Sequence, residues 1–244
     1  MDVTERGLLE ETLRKALATG TGLGELGWPE MLDEEGVVPL LFRLLGETGA
    51  WVPVVNDVVL REAGRELGGT APLPFAGGGW VEWGREAPFD VRRVSGGSAV
   101  PLGDGRRALG WWLLGTGHAM LGLARQHVLD REQFGRPLAS FQALRHRLAE
   151  TYVALEGAEA ALEAADGDTG ALLGKAAAGR AALLAARHCQ QALGGIGFTA
   201  EHALHRHVKR ALVLDGLLGS ARELTREAGE LLLREGRAPR LVDL

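Results

Sequence analysis

From residue 106 onward, apolar side chains recur every three or four positions, as in Phe141, Leu144, Leu148, Tyr152, Leu155, Ala158 and Leu162. That period puts them on one stripe of an α-helix and is incompatible with the two-residue period of a strand. Four long segments follow one another, 106–133, 138–166, 169–193 and 200–235, with short connections between them. Short connections make neighbours antiparallel, so residues 106–244 read as a four-helix bundle. Asp168 and Thr199 stand where N-caps are expected.

The N-terminal region, 1–67, also reads as helical. A first helix over 2–19 carries Leu8, Leu9, Leu13, Ala16 and Leu17 at helical spacing. A glycine-rich turn, GTGLGELGWPEM, separates it from a second helix over 34–47 that Asp33 is placed to cap, and a third follows over 54–67. Residues 68–105 break the pattern with ten glycines and four prolines. WVEW and FDVRRV are short extended pieces between turn dipeptides, so this interval is expected to be a small hairpin or a loose linker. The fold class is mainly α.

Composition removes several function classes. A formal net charge of −5 without a long single-sign run points away from nucleic acid and from anionic membrane surfaces. The longest apolar runs are too short and too glycine-broken to span a bilayer. MDVTERGLLE lacks the apolar stretch of a signal peptide, and Cys189 has no second cysteine to pair with. A reducing, cytoplasmic setting is the expectation.

Two stretches interrupt the helices. REQFGRPLASFQ, residues 131–142, breaks the pattern at Gly135 and Pro137. One reading is a packed turn in which Phe134, Leu138 and Phe141 bury, Pro137 opens the next helix and a solvated arginine remains. The other is a phosphate or pyrophosphate site at a helix start, with Arg131, Gln133, Arg136 and Gln142 as donors. QALGGIGFTAEHALHR, residues 191–206, ends a helix at Gln191 and continues with Gly194, Gly195 and Gly197. It is either a helix C-cap or a place where backbone approaches a ligand. No strand precedes it, so it is not the dinucleotide-binding GxGxxG fingerprint.

Taken in order, RxxFGxxxxxxQ followed by QxxGGxGF resembles the C-terminal bundle of the acyl-CoA dehydrogenase family. GELGWPEM is similar to an early stretch of the same family, and VEWGREAPFDVRRV looks like a remnant of one of its β-strands. The resemblance implies a role for the corner: it reaches across a dimer interface to the pyrophosphate and adenine end of an FAD held mainly by the neighbouring subunit. On that reading Arg131 meets the pyrophosphate, Gln133 hydrogen-bonds the cofactor, and Gln142 belongs to the same cofactor-binding corner. Phe134, Leu138 and Phe141 pack on the cofactor, and Gln191, Gly194 and Gly195 supply amide contacts.

Two departures from the family matter. The interval 68–105 is too short for the β-domain that cups the flavin ring. The carboxylate that removes the substrate's α-proton is also missing. Leu218 stands at the family's glutamate position before Gly219, and an alternative position at the start of the first bundle helix falls near Gly105. Asp104 and Asp215 are the nearby acids, each displaced from those positions.

The resemblance therefore implies a degenerate, auxiliary subunit. It completes the FAD site of a full-length acyl-CoA dehydrogenase partner, in an α2β2 complex of the kind that acts on bulky, steroid-type CoA thioesters, with acyl-CoA on the partner. A self-sufficient dehydrogenase with a relocated base and a non-enzymatic interaction protein are the alternatives.

Other residues stand out less. His202, His205 and His207 do not share one face, so no metal site is expected there. Cys189 lacks a spaced catalytic partner, Trp111 and Trp112 read as core or interface residues, and Arg106 and Arg107 read as a solvated helix start.

Overall fold

The computed structural model describes residues 2–19, 23–85 and 90–236. Gly20 to Gly22 of the first turn, Glu86 to Phe89, where FDVRRV begins, and the end of the bundle region from Arg237 lie outside the described residues.

The N-terminal helices are α1 (Val3–Thr19), a short α2 (Trp28–Met31), α3 (Val37–Thr48) and α4 (Val55–Glu62). Asp33 does not cap α3. Gly36 holds that position in a left-handed conformation, and Asp33 instead pairs with the Arg61 guanidinium. The third helix stops at Glu62, because Gly64 takes a positive φ of 64°.

The glycine-rich interval is neither a loose linker nor a lone hairpin. It forms a three-stranded antiparallel meander of β1 (Pro72–Phe75), β2 (Gly79–Trp83) and β3 (Val91–Val94). Leu73 pairs with Val81 and Trp83 with Val91, so Leu73, Val81 and Trp83 share the buried face. Trp83 stacks on Trp51 at 5.1 Å between ring centroids and lies 6.0 Å from Trp112 in the bundle. Asp57 ties the layers further: its buried carboxylate accepts from Trp28 Nε1, Gly68 N and both terminal nitrogens of Arg85. A carboxylate this buried is tolerated because each oxygen has a donor.

The bundle consists of α5 (Gly103–Asp130), α6 (Gln142–Glu163), α7 (Gly167–Leu193), α8 (Leu204–Gly216) and α9 (Ala221–Glu235). The central helix, α5, packs against α3, α6, α7 and α8. Its contact with α3 is backbone on backbone. A Cβ at Gly115 would lie 2.1 Å from the Arg43 carbonyl oxygen, and one at Gly46 would lie 2.4 Å from that of Trp112.

The expected fourth helix, 200–235, is divided at 217–220 into α8 and α9. Leu218 and Gly219 take φ of 58° and 98°, which no helix accommodates, and Ser220 then opens α9 with a capping box to Glu223. Two expected caps move as well. Asp166 is the N-cap of α7, and Ala203, not Thr199, precedes α8.

Candidate functional site

Both unusual stretches lie at one end of the bundle, where α5 and α7 finish and α6 and α8 begin. At the first, Arg131 caps the C-terminus of α5 in extended conformation. Glu132–Gln133 (β4) and Arg136–Pro137 (β5) then pair as a minimal hairpin, closed by Phe134 and Gly135 at φ of 56° and 72°. Two successive left-handed residues are what a two-residue hairpin turn requires. A 3-10 turn over Leu138–Ser140 leads into α6. Pro137 thus belongs to the hairpin and not to the next helix.

The corner is not a packed turn. Phe134 is 90% exposed, which overturns its expected burial, while Leu138 and Phe141 are half-buried. Phe134 meets Phe141 edge-on at 6.1 Å, and the Arg136 guanidinium sits 4.2 Å above the Phe141 ring. Arg131 is exposed, and its guanidinium makes no hydrogen bond or ion pair among the described residues. It borders a cleft of about 310 Å³ lined by Leu123, Gln126, His127, Asp130 and His202. Gln133 Nε2 donates to the Glu132 carbonyl, and Gln142 Nε2 lies 3.3 Å from His146 Nε2.

The second stretch adjoins the first. Gln191 accepts a hydrogen bond from Arg147 of α6 through its side-chain oxygen. Gly194 adopts φ 67°, ψ −142°, a conformation reserved for glycine, and ends α7. A Cβ added at Gly194 or Gly195 meets nothing within 4 Å, so these two glycines form open surface. Gly197 differs: a Cβ there would lie 2.7 Å from the Gln190 carbonyl, so it serves packing. Phe198 and Ile196 are exposed at the same end.

The family's proton-abstracting positions look quite different. Leu218 is fully buried, and its Cδ1 lies 2.8 Å from where a Cβ on Gly105 would stand, against Val59 Cγ2. The two positions therefore close on each other through apolar contact. Strand β1 seals them: Leu218 N donates to the Pro74 carbonyl and Ala76 N to that of Gly216, both at 2.8 Å. Arg106 Nε donates to the Leu218 carbonyl while its terminal nitrogens fork onto Glu227.

Lys175 of α7, which no motif singles out, is fully buried here. Its Nζ donates to the carbonyls of Asp215 at 3.0 Å and Gly219 at 2.6 Å. Burial pushes its pKa down to about 7.

Neither substitute acid faces an open reaction centre at this junction. Asp215 accepts from Ala221 N and helps start α9. Asp104 pairs with Arg107 at 3.7 Å beside a small cavity of about 220 Å³ that Trp111 also lines. Glu62 accepts from the N–H groups of Gly103 and Asp104, so it caps α5. Burial and then the Asp104 charge raise its pKa. Arg107 also reaches the Ala165 carbonyl, so Arg106 and Arg107 serve packing of the bundle and are not a solvated helix start.

Cys189 is buried and its thiol is pushed up to about 12, which removes it as a nucleophile. His202 accepts from Leu204 N, and His205 Nδ1 lies 3.0 Å from the His202 carbonyl. Burial, then Arg210 and Arg206, hold His207 down to about 4. No described helix is long and apolar enough to cross a membrane.

The family model for the acyl-CoA dehydrogenase C-terminal domain matches residues 99–228. Acyl-CoA dehydrogenase IpdE2 of Mycobacterium tuberculosis is 40% identical over 116 residues, 46% of this chain and 36% of that protein. FadE34 of the same organism is 36% identical over 151 residues, 55% of this chain and 20% of that one. The chain thus spans about a third or less of the length of these relatives.

Among solved structures, a variant of the Tcur3481-Tcur3483 steroid ACAD superposes with a TM-score of 0.73 over 96% of this chain and 99% of that chain. At 20% identity, that likeness concerns the fold. Butyryl-CoA dehydrogenase from Megasphaera elsdenii matches 55% of this chain and 37% of that one at 27% identity, with a TM-score of 0.52.

Proposed function

Because the chain belongs to the acyl-CoA dehydrogenase family, we propose that it is an auxiliary subunit: it completes the FAD site of a full-length partner of the same family and leaves proton abstraction to that partner. The observation that carries this reading is an asymmetry within one chain. The proton-abstracting positions are filled by Leu218 against Gly105 and sealed by β1, whereas the nucleotide corner stands open, with Phe134 90% exposed.

The residues at that corner fit the outer end of a dinucleotide. Arg131 offers a guanidinium without an anionic partner among the described residues, Phe134 offers an exposed ring, and Gly194 and Gly195 offer backbone without side-chain obstruction. Gln133, Gln142 and Gln191 belong to the same end, where Leu138 and Phe141 are half-buried and Phe141 meets Phe134 and Arg136 of the hairpin. The bound flavin would supply hydride acceptance. This chain's residues would orient the phosphates and exclude water from that end.

A steroid-type acyl-CoA and an α2β2 assembly follow from the family resemblance.

The test is co-purification with a full-length acyl-CoA dehydrogenase subunit, reading mass and flavin content. Arg131→Ala is expected to weaken FAD retention in the complex by about 1.5–3 kcal/mol, the worth of a hydrogen bond to a charged group. A partner that alone holds FAD and turns over as well as the mixture overturns the proposal. So does an Arg131→Ala complex with unchanged flavin content.

A further inference from the structure

A second polar cluster lies away from the corner, where α3, α5 and α6 meet. His118 projects from α5 and Glu156 and Glu159 from α6, and one donor atom from each falls within 4.8 Å of the other two. Among the described residues no other three histidine, cysteine or carboxylate groups converge in this way. His118 Nε2 is buried and has no hydrogen-bond partner. Its nearest carboxylate oxygen, Glu159 Oε2, stands 3.9 Å away, too far for a hydrogen bond. A cation between two donors at bond lengths of about 2.0–2.1 Å and a tetrahedral angle would hold them roughly 3.4 Å apart. The observed gap therefore needs only a small closure.

The charges around the cluster point the same way. A chain of ion pairs runs from Glu10 through Arg14, Glu47 and Arg43 to Glu159. With Glu156, that makes four glutamates against two arginines, a surplus of two negative charges. Arg43 grips Glu159 through Oε1 and leaves Oε2 facing His118. A hydrogen-bonded outer partner of this kind is what ligating carboxylates commonly have.

We propose that His118 Nε2, Glu156 and Glu159 form a binding site for a divalent first-row cation, with zinc as the best match to one imidazole and two carboxylates and water as the fourth ligand. The site clips α5 to α6. Burial and the Arg43 charge lower the His118 pKa, while Glu159, Glu47 and Glu156 oppose them. No local motif marks the site, because its histidine and its glutamates come from different helices.

Zinc titration of the full-length chain, carried without affinity-tag histidines and followed by calorimetry, tests this. Cobalt substitution read by visible absorption provides a second readout. One equivalent of saturable binding is expected. Affinity should fall at least about tenfold in His118→Ala and in the exposed-side-chain variant Glu156→Gln, with the cobalt band altered in both. His205→Ala should leave both readouts unchanged. Absence of saturable uptake, or equal uptake by all variants with unchanged helical circular dichroism, overturns the proposal.

Discussion

Among the described residues, two other than glycine hold a left-handed backbone, Phe134 and Leu218. Each conformation costs on the order of 1 kcal/mol or more, and such strain tends to persist where surrounding structure fixes it. Phe134 is held by the hairpin and presents its ring outward; Leu218 is held by β1, Arg106 and Lys175 and turns its side chain inward. Lys175 makes the second arrangement pH-dependent. Its folded pKa is about 7, against an ordinary value of 10.5. Below pH 7 both folded and unfolded chains carry the proton, and the fold bears a buried ammonium. Between pH 7 and 10.5 the unfolded chain holds more protons, so this group's contribution to stability improves as pH rises. Lys175→Met removes that dependence and strands two carbonyls. We expect it to destabilise by about 1–3 kcal/mol, with a larger deficit at pH 9 than at pH 6, measured by urea unfolding at both. Nothing in GKAAAG marks this lysine as buried. Its partners exist only because a helix divides two elements away, which a local pattern does not record.

At the scale of elements, the bundle was legible because its apolar period is long and regular, and the divided fourth helix was not. The apolar period continues through Leu217 and Leu218, so periodicity alone joins α8 to α9. The capping signal was present in SARE, residues 220–223, where a serine precedes a glutamate by three positions. Glu223 accepts from Gly77 N and from the Ser220 hydroxyl and N–H, and these bonds hold its pKa down to about 2. Its stabilisation is present above pH 4.5 and lost as pH falls toward 2. Glu223→Gln should lower stability at pH 7 by about 0.5–2 kcal/mol and flatten the acid limb between those values, as read from thermal melts. The meander was half legible: WVEW and FDVRRV mark β2 and β3, but prolines at 72 and 74 hide β1, an edge strand that tolerates them. The α3–α5 crossing was not legible, because a helical glycine reads as a weakness until its neighbour is known. Gly115→Ala gains up to about 1 kcal/mol of helix propensity, yet drives a methyl group into the Arg43 carbonyl, 2.1 Å away. We expect a net loss of about 1–3 kcal/mol, seen as a lowered Tm.

For the whole molecule, the corner and the junction bear on what one substitution can restore. The motifs that placed Arg131, Gln191, Gly194 and Gly195 at one bundle end were readable in order and spacing. The closure at the other site was not, since Leu218, Gly105, Val59 and Pro74 come from four separate segments. If the missing glutamate were the sole loss, Leu218→Glu would recover a base. The packing argues otherwise. A carboxylate at 218 would enter a space filled by Gly105 and Val59 and covered by β1. It would exchange apolar contact for an ion without a solvent path, at φ 58°. The expected outcome is a stability loss of at least about 2 kcal/mol and no acyl-CoA-dependent flavin reduction by the variant without its partner. Urea unfolding and anaerobic flavin bleaching measure the two parts separately. A stable Leu218→Glu chain that bleaches flavin on its own would mean that β1 opens, and that the junction is a working active site lacking one group.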